Sequence, residues 1–150
     1  MQRVRGFTLI ELLVTLAIAG LLATIVAPSM STFMARARLA SDVNQVVSAF
    51  NFARSEAIKR RTNVTAELQS DGDGWRIDVR EKEGDDIRHV TGGGQNVSVT
   101  PAKVTYGRLG MVDSCSPCNL TVEPEDSKAG DPRTIKISKA GGLTIEDDDD

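Results

Sequence analysis

From Leu12 to Ala35 the chain carries no charged residue, a run of 24 positions with Glu11 at its front edge. Coiled as an α-helix it would extend about 36 Å at ~1.5 Å per residue, and a hydrocarbon core is about 30 Å thick. One small domain cannot bury such a segment, so it must find lipid or other chains. Arg3 and Arg5 precede it, which fits an N-terminus held on the cytoplasmic side of a membrane. The competing reading is a cleaved secretory signal ending near Ala23 or Ala27, and a carboxylate inside the apolar stretch argues against it. A charge well inside a bilayer costs on the order of 3 kcal/mol. Glu11 therefore either stays hydrated near the headgroups or awaits a positive partner.

Pro28 lies within the run and predicts a kink or a lost backbone hydrogen bond. Beyond it, Met30, Phe33, Ala37, Ala40, Val43, Val47, Phe50, Ala53 and Ala57 recur at three- and four-residue steps. Arg36, Arg38, Asp42, Gln45, Asn51 and Arg54 take other faces. This spacing predicts an amphipathic helix continuing from the apolar run, its stripe packed under the chain's own β-structure. Lys59, Arg60 and Arg61 would sit in its last turn, where cations favour the helix dipole. Unbroken from Phe7 to Arg61, the helix would be roughly 80 Å long.

After Thr62 the period changes to two. Val64/Ala66/Leu68, Trp75/Ile77/Val79, Val97/Val99, Val104/Tyr106, Leu120/Val122, Ile135/Ile137 and Leu143/Ile145 alternate with polar neighbours, as half-buried strands do. Asp71–Gly74, Glu83–Asp86, Gly92–Gly94 and Gly141–Gly142 read as turns or loops. The expected architecture is α+β: one long N-terminal helix, with an antiparallel β-domain of about seven or more short strands packed on its second half. The expected parts are a segment 1–6, a helix 7–61 (7–29 apolar, 30–61 amphipathic), a β-domain 62–145 and an acidic tail 146–150. Charge follows the same division. Residues 1–61 hold 8 Lys/Arg and 3 Asp/Glu, whereas residues 62–150 hold 10 and 18, giving +5 and −8. A net charge of −3 already disfavours a dedicated nucleic-acid binder.

The chemical motifs are weak. Asp71-Gly72-Asp73-Gly74 opens like a calcium loop but lacks the remaining ligands, so it reads as a hairpin turn. Gly92-Gly93-Gly94 is followed by no Gly-Lys-Ser/Thr and reads as a flexible loop. Cys115-Ser116-Pro117-Cys118 has the spacing of a redox pair, but no helical pattern follows it to depress a thiol pKa. A local disulfide, two free thiols and a redox or metal role remain open, with the disulfide favoured outside the inner membrane. His89 is the only histidine and reads as an ordinary strand residue. No nucleophile–base pair, cofactor or metal site is expected, and no enzymatic activity. The tail Glu146–Asp150 reads as a solvated acidic run.

Gly6-Phe7-Thr8-Leu9-Ile10-Glu11-Leu12-Leu13 resembles the class III signal of type IV pilins and type II secretion pseudopilins. Phe50-Asn51-Phe52-Ala53-Arg54-Ser55-Glu56-Ala57-Ile58-Lys59-Arg60 resembles the helix end of the GspH/FimT family among them. The resemblance implies that a prepilin peptidase cuts between Gly6 and Phe7 and that the Phe7 amine is methylated. It implies further that the Glu11 carboxylate faces that amine on a neighbouring subunit. Such a pair gains most where water is scarce. The implied partners are other pilins or pseudopilins in a filament and an inner-membrane assembly platform. The implied location is the bacterial inner membrane, crossed once with a periplasmic C-terminal domain, and then the pilus or pseudopilus. The implied function is a minor pilin acting in type IV pilus assembly or initiation, and the alternative is pseudopilin H of a type II secretion system. A further alternative is DNA binding, which some relatives achieve with basic residues near the C-terminus. Here that patch would be Arg108, Arg133, Lys136 and Lys139. The corresponding stretch Lys139–Thr144 lacks the expected arginine, and the acidic domain opposes DNA.

Overall fold

The structure, a computed structural model, describes residues 7–147 apart from 73, 83, 85, 95, 96, 127 and 128. Met1–Gly6, Asp148–Asp150 and the side chain of Pro28 lie outside the described residues, and with them the cleavage position and part of the acidic run. A single helix, α1 (Leu9–Arg60), is followed by nine strands among the described residues. They are β1 (Val64–Asp71), β2 (Gly74–Glu81), β3 (Asp86–Gly92), β4 (Val97–Val99), β5 (Ala102–Tyr106), β6 (Val112–Ser116), β7 (Asn119–Pro124), β8 (Arg133–Ile137) and β9 (Leu143–Asp147). All pairings are antiparallel, in a five-stranded sheet β3-β2-β1-β5-β6 and a four-stranded sheet β4-β7-β8-β9. The α+β architecture expected from the change of period is the one found.

α1 starts on Thr8, whose hydroxyl accepts from the Glu11 N–H (3.3 Å) while the Glu11 carboxylate accepts from the Thr8 N–H (3.5 Å). This reciprocal cap satisfies two of the amide donors that a helix start leaves open. The far end stops at Arg61, in the left-handed conformation (φ 55°, ψ 34°) usually given to glycine. No single straight helix among the described residues is long and apolar enough to cross a membrane. The pieces Leu9–Thr24 and Ser29–Arg60, inclined by 40°, meet that criterion together.

The two halves of α1 meet different surroundings. Phe7, Leu9, Ile10, Leu12, Leu13, Val14, Leu16, Ile18, Leu21 and Leu22 are exposed, and so are Met30, Phe33 and Met34. From Leu39 onward one face is buried: Leu39, Val43, Val46, Ala49, Phe50, Ala53 and Ala57. They pack on β1, β2, β3 and β5 of one sheet and β7 of the other. Alternating side chains supply the opposite wall: Val64/Ala66/Leu68, Trp75/Ile77/Val79, Val104/Tyr106, Leu120/Val122 and Ile135. With few aromatics, the core rests on β-branched residues that suit a pleated surface.

The expected stripe holds from Val43 to Ala57, where Val43, Phe50, Ala53 and Ala57 are buried, and is corrected in its front part and its membership. Met30, Phe33, Ala37 and Ala40 are exposed and Val47 is half-buried, whereas Leu39, Asp42, Val46, Ala49 and Glu56 lie on the buried face. The stripe inferred from Met30 and Phe33 belonged to the exposed half, and the core face is set by the sheets further along. One strand, β6, also went unanticipated, and β3 was expected only through the reading of His89 as a strand residue. β3 is half-exposed, with Ile87 and Val90 only partly covered, and β6 carries Asp113, Ser114 and Cys115 beside a single partly buried valine. Both lie at the edges of the five-stranded sheet, where burial is one-sided and the alternation fades.

Candidate assembly surface

The surface of interest begins where the domain stops covering the helix. Apolar side chains from Phe7 to Leu22 occupy all sides of α1, which is the pattern of a helix solvated by lipid or by other helices. Glu11 sits within this surface, engaged by its own helix start through the Thr8 cap. The sequence signal for that contact is Thr8-x-x-Glu11 before an apolar run. No other group of the described chain is shown pairing with the Glu11 carboxylate.

The buried half of α1 is fastened at three heights. Lowest is Asp42, only 7 % exposed, whose Oδ1 accepts from the Gly93 N–H (2.9 Å) and the Trp75 Nε1–H (3.3 Å). Burial pushes the Asp42 carboxyl above its ordinary value, and these two hydrogen bonds pull it partly back. The glycine run expected as a flexible loop is thus tied to the helix. Gly93 has φ +88°, and a Cβ there would come within 2.7 Å of the Trp75 ring, so the backbone lies directly on the indole.

Higher up, Arg54 reaches out of the helix. Its Nε donates to the Gly110 carbonyl (2.9 Å) and its Nη2 to the Ala140 carbonyl (3.0 Å). One guanidinium therefore joins the β5–β6 loop and the β8–β9 turn to α1, and so links both sheets to the spine. Gly141, at φ +81°, leaves no room for a side chain beside that guanidinium, since an added Cβ would run into the Gly110 carbonyl oxygen and come within 2.9 Å of Arg54 Nε. Uppermost, Glu56 accepts from Arg60 (2.7 Å) and Lys59 (3.2 Å), and Arg60 continues to Glu81 on β2 (3.3 Å). The hydrogen bond from Arg60 holds the Glu56 carboxyl below its usual range against the opposing effect of burial. Ala53 and Ala57, both fully buried, allow the sheets to approach the helix between these polar fastenings. The Ala-Arg-Ser-Glu-Ala run is therefore a docking element of the domain on its own helix. Beneath it the Tyr106 hydroxyl is buried without a hydrogen-bond partner among the described residues, and burial pushes its pKa up to about 12.

Cys115 and Cys118 form a disulfide with Cα atoms 5.2 Å apart. It spans the corner where the chain leaves β6 of one sheet for β7 of the other. His89 lies on β3, its Nδ1 2.7 Å from Asp78 Oδ1. The four basic residues considered for nucleic acid do not converge. Arg108 and Lys139 line one groove at the top of the domain, Lys136 pairs with Glu146 across β8 and β9, and Arg133 lines a separate groove beside Arg36, Leu39 and Ala40 of α1. Glu146 and Asp147 belong to β9 rather than to a tail. Among the described residues no three of His, Cys, Asp and Glu are grouped as metal ligands would be.

Comparison with known proteins accords with this geometry. The model of the N-terminal methylation motif of prokaryotes matches residues 1–27, and that of the type II transport protein GspH matches residues 42–141. No curated protein matches the chain in sequence. Among solved structures, the fold resembles the type IV minor pilin FimU of Pseudomonas aeruginosa, at 22 % identity and a TM-score of 0.55, over 77 % of this chain and 92 % of that one. A second crystal form of FimU gives 22 % identity and 0.49 over 71 % and 91 %. With the family model spanning two-thirds of its length behind a methylation motif, the chain belongs to the GspH family of pilin-like proteins.

Proposed function

We propose that the chain is a minor pilin of a type IV pilus, a structural subunit rather than a catalyst. The observation that carries this reading is the division of α1: one half buried by the chain's own sheets, the other apolar on every side and uncovered. A surface of that kind is tolerated in lipid before assembly and against other helices afterwards. In this reading residues 1–6 are a leader removed by a prepilin peptidase between Gly6 and Phe7, and the new Phe7 amine is methylated. Residues 7–29 anchor the subunit in the inner membrane, 30–61 form the spine, and 62–145 the periplasmic domain. Pro28 lies between the two inclined pieces of α1 and is the source of the bend. Glu11 pairs with the Phe7 amine of an adjoining protomer, exchanging its capping contact for a charged one. The partners are other pilins and the inner-membrane assembly platform.

The printed description of the matching family, a type II transport protein, favours a second reading as pseudopilin H of a secretion system. DNA binding has less support, because Arg133 and Lys136 stand apart from Arg108 and Lys139. Deleting the gene separates the first two: loss of pili supports the minor pilin, and loss of secreted proteins with normal pili supports the pseudopilin. Mass spectrometry of the assembled subunit should find a methylated N-terminal Phe7. Finding Met1–Gly6 still attached would refute both.

A further inference from the structure

At the top of the domain, four cationic side chains from four separate segments surround one groove. Arg61 is the C-cap of α1, Lys82 lies in the β2–β3 turn, Arg108 in the β5–β6 loop and Lys139 in the β8–β9 turn. All four are exposed, and none has a carboxylate partner among the described residues. Elsewhere in the domain Arg60, Arg76, Arg80, Lys103 and Lys136 each meet a carboxylate. Among the described residues the one acid lining the groove, Asp113, is occupied by the Asn63 amide at 2.8 Å. Clustered like charges repel, and Arg61 holds its place at a left-handed position where glycine is less costly. We propose that this groove docks an acidic peptide segment of an adjoining filament subunit, of the kind that follows β9 in this chain's sequence at Asp148–Asp150.

Two features favour a peptide over nucleic acid. A duplex presents a charge about every 1.7 Å and would run beyond the groove onto a domain of balance −8, whereas a short segment needs only the groove itself. The second is the direction of β9. It begins beside the turn that carries Lys139 and runs back along β8, its last residue Asp147 opposite Arg133, which lines the groove beside Arg36 and Ala40. β9 thus ends beside Arg36 and Ala40, roughly 30 Å along α1 from Arg61. Basic at one end and acidic at the other, such subunits attract head to tail, a heterologous contact that propagates instead of closing. This placement rests on the filament reading, but binding of the peptide does not.

The test is fluorescence anisotropy of a labelled Thr144–Asp150 heptapeptide titrated with the full chain in detergent. Saturable binding is expected at about 50 mM salt, falling steeply at about 500 mM as screening shortens to a few ångströms. The double variant Arg61→Gly, Arg108→Ala should weaken it about tenfold with unchanged Trp75 emission, since glycine suits that cap. Failure to bind, equal binding of a peptide with every acid made an amide, or full affinity in the double variant would overturn the proposal. Tighter binding of a short DNA duplex at the same residues would reassign the groove to nucleic acid. Loss of pilus assembly is read separately, so a failed filament reading leaves the peptide result standing.

Discussion

At the scale of single residues, Asp42 and Arg54 decide how firmly the domain holds its helix. Asp42 keeps a folded-state carboxyl pKa above its ordinary value of 3.8, so the folded form binds a proton more readily than the unfolded chain. Its contribution is greatest below the unfolded pKa and is lost as pH rises through the folded value. Above that window the buried carboxylate is a cost only partly offset by Gly93 and Trp75. Asp42→Asn keeps an oxygen for both donors without the charge, and should leave stability unchanged or raised by up to about 1 kcal/mol near neutral pH. It should also remove the stability that Asp42 contributes as pH falls through its folded value, and so steepen the acid limb of the unfolding profile. Trp75, the only tryptophan, reports both effects by fluorescence because its indole touches the carboxylate. Asp42→Ala strands the Gly93 N–H and should lower stability by about 1–3 kcal/mol. Arg54→Ala leaves the Gly110 and Ala140 carbonyls unpaired and loosens two loops at once. A loss of about 1–3 kcal/mol in denaturant unfolding is expected, with Arg54→Lys recovering part of it through one bond.

At the scale of elements, α1 shows what was legible in the chain and why the rest was not. Its length, its apolar front and its end near Arg61 follow from charge-free length and three- to four-residue spacing. The strands around Val64, Trp75, Val104, Leu120, Ile135 and Leu143 follow from alternation. The point at which the buried face begins did not, because Met30 and Phe33 are as apolar as core residues and nothing local says which partner covers them. Asp42 and Glu56 were hidden for a related reason: a buried acid looks like a surface one until the residues that satisfy it, Trp75 and Gly93 or Lys59 and Arg60, are brought near by the fold. β6 escaped, and β3 showed only through His89, because edge strands bury too little to alternate cleanly. The corrected extent of that face makes a prediction of its own. Ala53 and Ala57 are fully buried at the helix–sheet contact, whereas Ala37 and Ala40 are exposed. Ala53→Leu should therefore destabilise the domain by about 1–3 kcal/mol through overpacking, while Ala37→Leu should change chemical unfolding by less than about 0.5 kcal/mol. Equal effects at the two sites would mean that the face is wrongly assigned.

At the scale of the whole molecule, the unresolved competition is for Glu11. In the single subunit its carboxylate completes a cap with Thr8, and in a filament it is proposed to meet a neighbour's amine, so one side chain serves the helix start and the assembly in turn. The two roles separate by substitution. Glutamine can accept the Thr8 N–H as glutamate does, since either residue completes a capping box, but it carries no charge. Glu11→Leu removes both the acceptor and the charge. If the cap alone matters, Glu11→Gln should assemble normally and Glu11→Leu should not, with the helix start weakened by about 1 kcal/mol. If the charge pair matters, both variants should enter the membrane and both should be missing from sheared filaments, because an ammonium in a water-poor contact then faces no carboxylate. Immunoblotting of membrane and sheared fractions distinguishes the outcomes. The charge-pair outcome is expected: a cap restores only a few tenths to about two kcal/mol, whereas an unpaired buried charge costs about 3–5 kcal/mol, and only the latter is large enough to exclude a subunit from a filament.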